Sequence, residues 1–165
     1  MKYYVLKIDG DYIVDIDPQL DKPTLGICAT NNINKAKLLD DEARKSTTMG
    51  LATLLDTESV KIEGLAVERD THVATDDETP TGYVIRFESR GVYLTNLLPD
   101  SVKTTKVDLE EEALNHAKML NKKETAEKMA EMFRLQGDLD FLADELQGQI
   151  TVLPVVRDTK VLETI

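Results

Sequence analysis

The sequence contains no tryptophan, one cysteine, two histidines and only 5% aromatic residues in a chain of 165. Each shortage excludes something. The lone Cys28 forms no internal disulfide and suits a reducing compartment, so a cytoplasmic location is expected. One cysteine with His72 and His116 does not complete a structural zinc set. No apolar run reaches the ~18 residues a membrane helix needs. The start of the chain has no basic stretch leading into an apolar core, so a signal peptide is not expected either. The 8 glycines form no phosphate-cradling spacing and no Gly-x-Ser-x-Gly elbow. The acidic stretch from Asp15 fails as a calcium loop, with Leu20 where glycine belongs and Gly26 where the bidentate glutamate belongs. No catalytic residue, cofactor or metal is therefore expected.

What is present is an aliphatic core and an acidic surface. Hydrophobic residues make up 41% and the net charge is −11. Residues 1–82 carry 16 acidic and 9 basic side chains (−7), and residues 83–165 carry 15 and 11 (−4), so the charge is spread over the chain. Such a balance disfavours direct binding to nucleic acid, where Lys and Arg displace counterions, and to an anionic membrane.

The chain reads as two diverged copies of one unit. Tyr4, Leu6 and Ile8 alternate with Val5 and Lys7 as in a half-buried strand, and Asp9-Gly10 supplies a hairpin turn into Tyr12–Ile16. Leu25–Ala29 makes a third strand. Asp40 caps a helix that runs to about Leu55 and is weakened at Thr47, Thr48 and Gly50, and Val60–Val67 closes the unit. Tyr83, Ile85 and Phe87 repeat the face of Tyr4, Leu6 and Ile8 at an offset of 79. Leu39-Asp40-Asp41-Glu42-Ala43 returns as Leu109-Glu110-Glu111-Glu112-Ala113 (offset 70), and Arg69-Asp70-Thr71 returns as Arg157-Asp158-Thr159 (offset 88). The expected fold is α+β, a tandem β-β-(β)-α-β unit with antiparallel sheets and helices on one face. The expected limits are a first copy at 1–71, a polar linker at 72–81, and a second copy at 82–159. A helical expansion at 122–147, stopped once at Gln136-Gly137, and a tail at 160–165 complete the scheme.

The opening Lys2-Tyr3-Tyr4-Val5-Leu6-Lys7-Ile8 with Asp9-Gly10-Asp11-Tyr12-Ile13-Val14, followed by Asn34-Lys35-Ala36-Lys37-Leu38-Leu39 and Glu42-Ala43, resembles a class of small uncharacterised proteins. These are encoded by phages and prophages of low-GC Gram-positive bacteria. The resemblance covers residues 1–68 and, more faintly, 83–120. It implies a phage or prophage setting and contacts with host proteins, and brings no catalytic residue.

The reading that follows is a non-enzymatic protein-binding accessory module whose partner is a host or phage protein, with homo-oligomerisation left open. Met129, Met132, Phe133 and Phe141 in the helical expansion are the candidate partner-binding residues, because flexible methionines line adaptable grooves, against the plainer reading that they fill an irregular core. Arg69 and Arg157 are candidates for gripping an anion, against the plainer reading that they fix strand ends. One alternative is an acidic DNA mimic that inhibits a nuclease or restriction system, and another is an unrecognised enzyme.

Overall fold

The computed structural model describes residues 2–18, 25–55, 58–88, 91–98, 101–104, 110–139 and 149–165. The fold is α+β, with antiparallel strands and few helices. The chain divides into two compact units. Unit 1 is Met1–Arg69 with Asp158–Ile165, and unit 2 is Asp70–Arg157.

In unit 1, β1 (Tyr3–Ile8) and β2 (Asp11–Pro18) form the hairpin that Asp9-Gly10 predicts, and both turn residues take positive φ, 48° and 91°. β3 (Leu25–Thr30) pairs with β2, and β4 (Ile62–Val73) pairs with β1 from Tyr3↔Val67 to Ile8↔Ile62. A 3-10 turn at Ile33–Lys35 precedes α1 (Asp41–Leu54). Asp40 caps α1 by accepting a hydrogen bond from the Ala43 amide at 2.7 Å. The helix passes Thr47, Thr48 and Gly50 unbroken, because Leu51, Leu55 and Ala43 pack it against Leu6, Ile13 and Ile62. Tertiary burial outweighs the weak propensity of those positions.

β1 is not half-buried as its alternation implies. Leu6 and Ile8 meet α1, while Val5 (0% exposed) joins Tyr3, Ala36, Leu38, Leu65 and Val67 on the opposite face. The non-helical segment after the 3-10 turn covers that second face through Ala36 and Leu38.

In unit 2, β5 (Gly82–Phe87), β6 (Val92–Leu98) and β7 (Ser101–Thr104) pair in order, and the first part of β8 (Ile150–Thr164) pairs with β5 from Phe87↔Ile150 to Gly82↔Val155. β7 is a third strand not apparent in the sequence of this half. α2 (Glu110–His116) covers one face through Ala113 and Leu114, with Ala117 just beyond its end, against Val84, Tyr93 and Val155. α3 (Lys123–Leu139) covers the other through Ala126, Ala130 and Phe133 against Ile85, Phe87 and Ile150. One correction follows. Gln136-Gly137 does not stop α3, which continues to Leu139. Leu120 lies between α2 and α3, and its backbone pairs with Tyr83 in both directions at 2.8 Å.

The unit limits also differ from the sequence expectation. His72 and Val73 end β4, and the 72–81 segment belongs to unit 2, where Ala74 N donates to Pro154 O and Thr81 N donates to Val155 O. The expected tail is the end of β8, which extends to Thr164 and lies in unit 1. There Ile165 N donates to Gly64 O and Lys2 pairs with Glu163. Each half of the chain thus lends the end of its last strand to the unit built mainly by the other half.

Candidate functional site

The two repeated arginines are buried, Arg69 at 6% and Arg157 at 4% exposure. In unit 1, Arg69 Nη2 donates to the carbonyls of Ile33 and Ala36, both at 2.9 Å, and Arg69 Nε donates to Thr159 Oγ1 at 2.8 Å. In unit 2, Arg157 Nη2 donates to the carbonyls of Leu114 and Ala117 at 2.7 and 2.8 Å, and Nε donates to Thr71 Oγ1 at 3.0 Å. Burial pushes the Arg157 guanidinium down to about 10, so it stays charged at neutral pH. These contacts overturn the anion-gripping assignment of Arg69 and Arg157. Their inward-turned forks bind the Ala36 and Ala117 carbonyls and add a second donor to Ile33 O and Leu114 O, which already accept the amides of Ala36 and Ala117; a buried cation is tolerated when its donors are satisfied.

The same bonds reveal a correspondence the sequence offsets hid. Ile33-Asn34-Lys35-Ala36-Lys37-Leu38-Leu39 in unit 1 matches Leu114-Asn115-His116-Ala117-Lys118-Met119-Leu120 in unit 2, at an offset of 81. Lys37 N donates to Ile13 O and Lys118 N donates to Leu94 O, and Leu39 pairs with Tyr4 as Leu120 pairs with Tyr83. The helix after this segment is α1 in one unit and α3 in the other. The offset of 70 from Leu39 to Leu109 therefore joins non-equivalent positions. The usable signal was the Asn-x-Ala-Lys-x-Leu core shared by both segments.

Of the candidate partner-binding residues, Phe133 is 4% exposed and stacks obliquely on Phe87 with ring centres 5.7 Å apart, so it belongs to the core. Met129 is half-buried against the same core. Phe141 lies outside the described residues. Met132 is on the surface, 67% exposed, and Leu135, absent from the sequence candidates, is 56% exposed. Three apart, the two are neighbours on the helix surface. Glu124, Glu127 and Glu131 lie exposed on the same helix, with Lys128 bridged to Glu124 and Arg134 to Glu131.

Cys28 is exposed on β3. His72 Nε2 sits 2.9 Å from Glu78 Oε2 in an exposed pair. Among the described residues, no three His, Cys, Asp or Glu side chains gather to hold a metal ion, and no helix is long and apolar enough to cross a membrane. Comparison with protein-family models, curated proteins and solved structures returned no match.

Proposed function

We propose that this chain is a non-enzymatic protein-binding accessory module of phage or prophage origin, and that the outward side of α3 docks into an apolar groove with a basic rim on a host or phage protein. One observation carries the reading. The inward side of α3 is already filled by Ala126, Ala130 and Phe133, yet Met132 and Leu135 remain largely exposed. Large apolar side chains exposed side by side mark surfaces that partners cover, and helix-in-groove recognition uses such spacing. The glutamates along α3 and the net charge of −11 favour a basic rim.

The test is photo-crosslinking with a photoreactive residue at position 132, in host cells, with the same residue at exposed Lys45 as control. The expected result is a discrete adduct with a basic protein from position 132 alone, lost on Leu135→Asp. Identical adducts from both positions, or none from position 132, would refute the reading.

We also propose that the two halves descend from one duplicated unit. Support comes from the paired Arg-Asp-Thr motifs and the matching backbone bonds at the offset of 81. The alternative of a DNA mimic is less favoured. Exposed cations interrupt the acidic surface, as in Lys45–Asp41, Lys61–Glu63 and Lys128–Glu124, whereas a phosphate-like stripe needs uninterrupted negative charge.

A further inference from the structure

The two halves of the chain hold each other through contacts that are remote in sequence. Arg69 reaches Thr159 and Arg157 reaches Thr71; Ile165 N bonds Gly64 O, and Lys2 pairs with Glu163. The first half supplies one member of every such pair and the second half supplies the other. The covalent link between the halves is the segment 74–81 that leads from β4 into β5.

We propose that a second copy of this chain is a fitting partner for these same surfaces. In the resulting dimer, the first half of one copy pairs with the second half of the other, and 74–81 is the hinge. The argument rests on contacts, not on ancestry. Every pair named above forms equally well between two chains, so the exchanged dimer loses only the tethering by the hinge. A short link makes the partner half present at an effective concentration on the order of millimolar. The closed monomer therefore dominates at micromolar concentration, and anything that prevents 74–81 from turning back transfers the same contacts to a second copy. The turn is specific: Thr75 N donates to Glu78 Oε1 at 3.0 Å, and Glu78 N donates to Thr75 O at 3.1 Å.

The experiment deletes Asp76–Thr79 from the full chain and measures mass by light scattering, with circular dichroism and melting as checks on folding. A folded dimer at micromolar concentration is expected where the parent chain is monomeric. A folded monomer after deletion overturns the proposal. In case the deletion itself prevents folding, a second experiment co-refolds two full chains, one carrying Val5→Asp and the other Val84→Asp. Neither folds alone, and the mixture is expected to give a protease-resistant complex containing both chains. Failure of the mixture to yield that complex overturns the proposal as well.

Discussion

Arg69 Nε donates to Thr159 Oγ1 across 90 residues of sequence, and Arg157 repeats the bond to Thr71. The arginine of each Arg-Asp-Thr motif is thereby partnered by the threonine of the other. Because Thr71 lies two residues beyond Arg69 and Thr159 two beyond Arg157, arginine and threonine share a strand face in each motif. Each guanidinium also ties a turn to the sheet. The motif is structural: it fastens the end of one half's last strand into the unit built by the other half.

Replacing Arg157 with alanine removes the donor to the Ala117 carbonyl and the Thr71 hydroxyl and one of two donors to the Leu114 carbonyl, and is expected to destabilise the protein by about 3 kcal/mol. Lysine should not restore the loss, since a point ammonium cannot reproduce the fork that spans Leu114 O, Ala117 O and Thr71 Oγ1. Chemical denaturation measures both. A double-mutant cycle on Arg69→Ala and Thr159→Val should give a coupling of about 1 kcal/mol or more, and zero coupling would show the bond to be incidental.

Gly82 is required by close approach. A Cβ there would stand 2.5 Å from Met119 Cγ and 2.8 Å from the Leu120 carbonyl oxygen, which is held by the Tyr83 amide. The methionine can shift, but the backbone oxygen cannot move without breaking that bond. Gly82→Ala is expected to cost about 2–3 kcal/mol, as overpacking does elsewhere, and a melting temperature equal to that of the parent would refute this.

The cap on α1 is isolated and exposed, so its worth can be measured cleanly. Asp40→Ala removes the acceptor for Ala43 N and is expected to cost about 1 kcal/mol, while Asp40→Asn should cost far less. Equal losses for the two variants would point to the charge at the helix start instead of the hydrogen bond.

Glu78 carries the pH prediction. The Thr75 backbone amide first, and then His72, hold its carboxyl below the usual 4.5. A depressed carboxylate contributes stability above its unfolded value, and that contribution disappears as pH falls through the lower value it takes in the fold. Glu78→Gln should therefore melt slightly below the parent at pH 7, and the gap should close as the pH falls below the lowered value the carboxyl takes in the fold. A gap that persists at acid pH would show that the carboxylate charge is not responsible.

Much of the local structure was legible. The Asp9-Gly10 hairpin, the Asp40 cap and the apolar face of Tyr83, Ile85 and Phe87 are written in short-range chemistry: a turn needing positive φ, an amide needing an acceptor, an alternation of period two. The candidate site was half legible. Met132 could be named from its residue type, but that Phe133 is core and Leu135 surface depends on which side of α3 meets the sheet. The helix pattern alone did not decide this, because apolar residues occur on both sides.

What the sequence determined by itself, then, is the Asp9-Gly10 hairpin, the capped helix α1, the spread of negative charge, and the existence of two matched Arg-Asp-Thr motifs. Tertiary structure alone decided that β1 and β5 are covered on both faces, that β4 and β8 cross between units, and that each arginine takes its threonine from the opposite motif. Alternation reports neighbours within a strand, whereas burial on the second face and a bond spanning 90 residues depend on where distant segments of the chain come to lie.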